Sequence, residues 1–366
     1  LAMLAGWSPF VYAAGDSADY ALNLRPRVTP ISREAYDLHM LIMWICVAIG
    51  VVVFGAIFVS ILKHRKSKGA QPAQFHESTT VEIIWTIIPF LILIGMAIPA
   101  TKALVAMEDT SNSDLTIKVT GYQWKWGYDY IDDGVSFISS LATPKEQIYD
   151  MQEKGENYLL EVDKPLVVPT NKKVRLLITA SDVIHAWWVP DLGMKKDAIP
   201  GFVNEMWFQI DTEGTYRGQC AELCGKDHGY MPIVVIAKNE ADYGKWLSAQ
   251  KTASDAVAAA AEREWEISEL LERGEKVYSG TCAACHQANG EGIPGAFPAI
   301  KDSAVATGPA GDHLALVMNG KAGTAMTAFA GQLSDVDLAA VVTYQRNAWG
   351  NNAGDLIQPA EVKAAR

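Results

Sequence analysis

"CAELCGKDHGYM", Cys220–Met231, packs two cysteines, a histidine and a methionine into a single short stretch. Cys220, Cys224 and His228 follow one another at spacings of four, and Met231 comes three later. A helix would align them on one face. The surrounding "RGQCAELCGKDHGYMP" is rich in glycine and lies between β-rich runs, so a loop wrapped around metal is expected instead. A disulfide across so short a span closes a tight, strained ring and leaves His228 and Met231 idle. Zinc wants a closed tetrahedron of nitrogen and sulfur ligands and does not choose methionine. Thiolates, imidazoles and a weak thioether are copper ligands by softness. A single blue copper needs only one cysteine. Two cysteines allow two coppers bridged by both sulfurs, with one histidine terminal on each. That arrangement requires a second histidine from elsewhere.

The chain has seven histidines. His39, His64 and His76 belong to an apolar N-terminal part, and His286 and His313 to the last module. Only His185 is left in the β-rich part, in "SDVIHAWWVPDLGMKKDAIPG", at a strand end followed by a loop. Elimination makes it the missing ligand.

Two apolar runs precede the β-rich part. Met40–Leu62, "MLIMWICVAIGVVVFGAIFVSIL", carries no charge and is long enough to span about 30 Å of hydrocarbon. Ile83–Thr101 is the second run, and its two prolines are tolerable in a membrane helix. "KHRKSK" between them puts that loop in the cytoplasm by the positive-inside rule, so both flanks face outward. The expected hairpin covers residues 30–107, with spans at about 38–63 and 82–106. Residues 1–29 form an N-terminal segment whose "VYAAG" is read as a signal-peptide remnant.

From Asp114 the texture changes to short β-rich runs separated by Gly, Pro and Asp, which suggests a sandwich or barrel over residues 108–248. "SLATPKEQIYDMQEKGEN" reads as an insertion between strands, and 249–264 as a small-residue linker whose alanines are open to helix. Residues 265–350 read as a small all-α module and 351–366 as a tail. The module holds "CAACH". Two thiols at this spacing can form thioethers with the vinyl groups of a haem, and the adjacent histidine can ligate its iron. Cys282 and Cys285 are therefore the expected attachment points and His286 the expected axial ligand. Met326 in "GTAMTAF" is the expected sixth ligand, with Met318 and His313 as rivals; Met318 sits in an amphipathic helical stretch and reads as core. A redox C-x-x-C would need a βαβ setting, which is missing. The block resembles a class I cytochrome c domain, in which Gly274 and Tyr344 would meet where the terminal helices cross.

Two membrane helices, a β domain, "HAWWVP" and C-x-E-x-C-x-x-x-H-x-x-M together resemble subunit II of the haem–copper cytochrome c oxidases. With its fused cytochrome c domain the chain resembles the bacterial variant whose subunit II carries its own haem c. The resemblance implies a multidomain chain: a two-helix transmembrane hairpin, an all-β cupredoxin domain and a small all-α cytochrome c domain. It implies a binuclear copper centre, CuA, bridged by Cys220 and Cys224, with His185 and His228 each holding one copper. Met231 would be the weak ligand on one copper and the Glu222 carbonyl a ligand on the other, while the Glu222 carboxylate would bind a magnesium shared with subunit I. Trp124, in "GYQWKWGYDY", matches the tryptophan through which electrons arrive; the plainer reading makes Trp124 and Trp126 ordinary sandwich residues. Tyr122 stands where relatives often carry histidine. Glu82 matches a glutamate at the mouth of a proton path into subunit I, or serves only as a solvated cap. Asp182 and Asp197 match acidic docking and interface positions.

The formal charge of −11 excludes a general nucleic-acid binder. The acid lies mostly downstream of the hairpin, where it would steer a basic partner or simply aid solubility. The expected function is electron intake for a respiratory oxidase. Haem c and CuA would pass electrons to subunit I, where oxygen is reduced to water with proton pumping. The expected partners are subunit I, subunit III, a cytochrome c or other donor, and membrane lipid. The expected location is a bacterial inner membrane, with both termini and the soluble domains on the periplasmic side. No nucleophile, base or substrate pocket is apparent, so the chain would not be catalytic alone. The alternative is a membrane-tethered CuA and haem c carrier serving a different reductase.

Overall fold

The computed structural model describes residues 23–71, 74 and 76–366, apart from residue 26. The signal-peptide reading at Leu1–Ala14 lies outside them. The chain divides into two compact units at Tyr243 and Gly244.

The first unit begins with two long helices, α1 at Pro30–Lys63 and α2 at Thr79–Glu108. Their apolar side chains, Trp44, Phe54, Trp85 and Phe90 among them, face outward and are not covered by protein. Helix α1 has 34 residues, which at 1.5 Å each makes a rod of about 50 Å, longer than a bilayer core. It starts well before the expected span, because Thr29 caps it. Thr29 Oγ1 accepts from the Ser32 amide at 2.9 Å, Ser32 Oγ accepts from the Thr29 amide at 3.0 Å, and Pro30 fills the first helical position. This extra stretch anchors the helix on the β domain. Thr29 Oγ1 donates to the Leu192 carbonyl at 2.9 Å, and Ile31 and Ser32 are buried. Gly193 has φ +76, and a Cβ there would lie 2.7 Å from Ser32 Cα, so only glycine lets the loop approach. The far end of α2 is tied too: Trp207 Nε1 donates to the Ala106 carbonyl at 3.0 Å.

The β domain carries ten strands: β1 Leu115–Tyr122, β2 Lys125–Tyr130, β3 Val135–Ser139, β4 Leu166–Pro169, β5 Val174–Ala180, β6 His185–Val189, β7 Met194–Ala198, β8 Asn204–Phe208, β9 Gly214–Cys220 and β10 Pro232–Lys238. They form two five-stranded sheets, ordered β3-β2-β1-β5-β8 and β4-β10-β9-β6-β7. Strands β1 and β5 pair in parallel, as do β4 and β10. Period-two burial along β5 turns Val174, Leu176, Ile178 and Ala180 inward. Trp126, Trp187, Tyr128 and Phe208 fill the space between the sheets, with Trp187 and Phe208 stacked at 6.2 Å. Each such ring contributes about 1.5–3 kcal/mol of burial. The expected insertion lies between β3 and β4 and includes one helical turn, α3 at Lys145–Ile148.

Helix α4, Glu240–Glu262, crosses the boundary between the units. Most of the stretch read as a small-residue linker is therefore helical. The second unit continues with α5 Ile267–Thr281, α6 Ala283–His286, α7 Ala304–Thr307, α8 Ala310–Asn319, α9 Asp335–Asn347 and α10 Pro359–Ala365. Helices α5 and α9 cross at Gly274, whose absent Cβ would lie 2.1 Å from the Ala340 carbonyl oxygen and 2.6 Å from Tyr344 Cβ. Tyr278, Tyr344 and Trp349 cluster beside the crossing, with Tyr278 and Trp349 at 4.7 Å. The expected tail, 351–366, is corrected by the structure: Ile357 and Val362 are buried in the same core as Leu338 and Val342, so the segment belongs to the module. Its sparse apolar positions hid this role.

Gly274→Ala places a methyl against a backbone carbonyl that cannot swing away. The expected loss is about 1–3 kcal/mol from the module's stability, read by calorimetry of the full chain in detergent.

Candidate metal centres

Five places along the chain build the first site. Strand β6 pairs with β9 so that Trp187 lies opposite Cys220, and the Ala221 amide donates to the Ala186 carbonyl at 3.0 Å. That register carries His185, the first residue of β6, beside the last residue of β9. The loop after Cys220 supplies Cys224, a 3₁₀ turn His228–Tyr230 supplies His228, and Met231 precedes β10.

The donor atoms converge. Cys220 Sγ lies 3.8 Å from Cys224 Sγ, 4.0 Å from His185 Nδ1 and 3.3 Å from the Glu222 carbonyl oxygen. Cys224 Sγ lies 3.5 Å from His228 Nδ1 and 3.6 Å from Met231 Sδ. His185, Cys220 and Cys224 are buried, and their ligand atoms all fall within 4.8 Å of one another. The two thiols are not joined as a disulfide. Two soft thiolates, two imidazoles, a thioether and a carbonyl around one small volume fit copper. The Glu222 side chain is exposed; only its backbone turns inward.

Electrostatics in the metal-free protein prepare this volume unevenly. Burial works against a charged His185, but its hydrogen bonds to Asp182 and Cys220 outweigh burial and push the ring up to about 9. Burial also opposes a Cys220 thiolate, yet His185 and the backbone around it bring that thiol down to about 7. Cys224 is pushed up to about 12 by burial and by the neighbouring Cys220 charge. One thiolate thus comes easily and the second does not.

The supporting residues include some that the sequence did not single out. Asp182 Oδ1 lies 2.9 Å from His185 Nε2, which directs Nδ1 toward Cys220. The Asp182 carboxylate is nine-tenths buried, so it faces the metal ligands and not an external docking surface. Gly121 lies against the His185 ring, where a Cβ would meet Cδ2 at 2.7 Å. Trp126 is buried and donates to the Met231 carbonyl at 3.2 Å, while Trp124 is half-buried and its Nε1 lies 3.3 Å from the Cys224 carbonyl. Of the two tryptophans on β6, Trp187 is buried and Trp188 half-buried. Tyr122 is buried too, with its hydroxyl pushed up to about 12 by burial. Glu82 sits exposed in the first turn of α2, and the Asp197 carbonyl accepts from Asn204 at 2.7 Å.

The second site lies in the α module. Cys282 is the cap residue between α5 and α6, and Cys285 and His286 follow on α6. His286 Nδ1 lies 2.8 Å from the Pro298 carbonyl, which holds the ring with Nε2 available for a metal. Cys282 and Met326 both pack, partly buried, against one apolar core. Met318 is buried in that core. His313 is buried and pushed down to about 4 by burial and the nearby Arg346 charge, so it is neutral. Gln345 Nε2 lies 3.7 Å from Cys282 Sγ, and the buried His313 Nδ1, Gln345 Oε1 and Arg346 Nη1 atoms have no hydrogen-bond partner among the described residues. An apolar wall, two cysteines, an oriented imidazole and a thioether fit a haem of the attached type.

Comparison with known proteins reads the same three parts. The family "Cytochrome C oxidase subunit II, periplasmic domain" matches residues 115–238 and its transmembrane domain matches 17–103. "Cytochrome C oxidase, cbb3-type, subunit III" matches 269–344. A probable cytochrome c oxidase subunit 2 of Rickettsia bellii is 38% identical over 244 residues, covering 67% of this chain and 89% of that one. Cytochrome c oxidase subunit 2 of Cereibacter sphaeroides is 36% identical over 238 residues, covering 62% and 78%. The crystallised periplasmic domain of subunit II of cytochrome oxidase from Bradyrhizobium japonicum is 42% identical and covers 39% of this chain and 98% of that one, with a TM-score of 0.36. The two apolar helices span a membrane and the β domain lies outside it. The chain belongs to the cytochrome c oxidase subunit II family, in a form extended by a cytochrome c domain.

Proposed function

We propose that this chain is the electron-intake subunit of a proton-pumping respiratory oxidase. The carrying observation is the convergence of Cys220, Cys224, His185, His228 and Met231 on one buried volume whose two thiols stay unlinked. Cys220 and Cys224 would bridge two coppers. His185 and His228 would each hold one, with Met231 as weak ligand on one and the Glu222 carbonyl on the other. Cys282 and Cys285 would fasten haem c by thioethers, with His286 and Met326 as its axial ligands. When bound, copper and haem supply one-electron redox chemistry. The protein's own part is to hold the ligands still and keep water out. Asp182 fixes the His185 ring, Trp126 fixes the Met231 backbone, and the buried Trp126 and Trp187 wall the site. A centre whose ligands barely move has little to reorganise.

Trp124 is the residue through which electrons would arrive, either from a soluble cytochrome c or after reduction of the fused module. Electrons would leave toward the haem of subunit I, where oxygen is reduced to water. The exposed Glu222 carboxylate would reach a magnesium at that interface, and Glu82 would stand at the mouth of a proton path. Subunit III and bilayer lipid would complete the surroundings of the hairpin. The basic loop Lys63–Lys68 would face the cytoplasm of a bacterial inner membrane, with both termini and both soluble domains in the periplasm.

Metal analysis, optical and EPR spectra of the full chain in detergent test this reading. The expected result is two coppers sharing one unpaired electron, plus one covalently bound haem. A single copper, or zinc, would contradict it. Co-purification with a partner carrying haem and copper separates the oxidase from a stand-alone carrier.

Two further outcomes follow. At neutral pH the metal-free His185 and Cys224 hold protons that copper must displace. Copper affinity should therefore fall as pH falls from about 8 to 6, by about tenfold per pH unit for each proton released, and uptake in weak buffer should acidify the solution. Met326→Leu should keep the haem attached but lower its potential in a redox titration, because the thioether ligand raises it.

A further inference from the structure

Beyond the metal ligands, one short segment touches both halves of the copper site. The Gln123 amide donates to Asp182 Oδ2 at 2.8 Å, while the other oxygen of the same carboxylate holds His185. The Gln123 side chain reaches the other way, and its Nε2 donates to the Cys224 carbonyl at 2.9 Å. The indole Nε1 of Trp124 donates to that same carbonyl at 3.3 Å. A connected path therefore runs from His185 through Asp182 and Gln123 to Cys224. The next residue, Gly225, has φ +118, and a Cβ there would lie 3.1 Å from Gln123 Nε2 and 3.2 Å from Trp124 Cζ2. Glycine thus allows the loop to press against both donors.

We propose that Gln123 is a positioning residue that sets the Cys224 ligand and the Trp124 indole in one fixed relation. The inference rests on the copper reading above. Cys224 would otherwise hang on a loop whose following residue is a glycine with wide backbone freedom. The carbonyl and the sulfur belong to one residue, so gripping the carbonyl limits how the sulfur can turn. The grip includes the ring through which electrons would arrive, so the distance from indole to ligand cannot drift independently of the site. Asp182 extends the hold to His185. An amide suits this place because it donates to a carbonyl without adding charge beside the cysteines. A carboxylate of the same length would set oxygen against oxygen.

The test uses the full chain in detergent, loaded with copper. Gln123→Leu keeps similar bulk and removes the donor, and Gln123→Glu keeps the length and removes it at neutral pH. Both should retain both coppers yet change the copper hyperfine splitting and shift the visible bands. Both should also slow reduction by a soluble cytochrome c by about three- to tenfold, the worth of one hydrogen bond. Trp124→Phe keeps the ring plane and removes the second donor to the same carbonyl. It should move the hyperfine splitting in the same direction, which keeps the proposal testable if Gln123→Leu does not fold. In the double variant the two effects should not add, since both act on one acceptor. Spectra and reduction rates unchanged in Gln123→Leu and Gln123→Glu would overturn the positioning role. A wild-type chain that binds no copper pair would overturn the underlying reading instead, so the two failures are distinct.

Discussion

Strand β6 pairs with β9 so that Trp187 faces Cys220, and this register places the histidine of one strand at the cysteine of the other. Strand side chains alternate faces, so a slip of one residue would send His185 away from the ligands and expose Trp187. The register is held by its neighbours. Trp187 is wholly buried, stacks on Phe208 and lies 3.3 Å from the Tyr128 hydroxyl through its Nε1. The hydrophobic cost of moving that ring is therefore also the force that keeps His185 beside Cys220. Fold stability and ligand geometry are one constraint here.

The rest of the site is built around what that pairing fixes. A buried imidazole needs a partner, and Asp182 provides it. A ligand, Cys224, that is followed by a glycine needs a grip, and Gln123 and Trp124 provide one on its carbonyl. The β domain also holds both helices of the membrane hairpin, through the capped first turn of α1 and through Trp207 of β8, which donates to the Ala106 carbonyl near the end of α2. The soluble domain is thus fixed to both helices rather than trailing from one of them. In the α module the equivalent constraint is the glycine contact at Gly274, which brings α5 and α9 together beside Cys282.

Much of this was legible in the sequence, for different physical reasons. Lipid demands long apolar runs, so the hairpin stood out by composition. Metals demand particular donor atoms, so cysteine, histidine and methionine spacing narrowed the choices, and His185 emerged by elimination. The β domain was legible from short β-rich runs broken by Gly, Pro and Asp, and the α module from its "CAACH" motif and amphipathic stretches. What escaped was chemistry that many residues share. An aspartate and a glutamine serve countless ends, and those at Asp182 and Gln123 act across 59 and 101 residues of chain. Only the folded arrangement pairs them. Asp182 matched an acidic docking position, yet its carboxylate turns inward. The early start of α1 did have a local signal, since "TPIS" at Thr29–Ser32 is a capping threonine, a first-turn proline and a serine three residues on. The packed segment around Ile357 and Val362 had almost none, since its few large apolar side chains are set among small and polar ones without a clear period.

The central claim is that Cys220 and Cys224 together hold a copper pair. X-ray absorption at the copper edge of the copper-loaded full chain measures this most directly. The account predicts a short copper–copper vector, with two sulfur neighbours and one imidazole nitrogen at each metal. A spectrum with no copper–copper scattering and a single sulfur neighbour would contradict it.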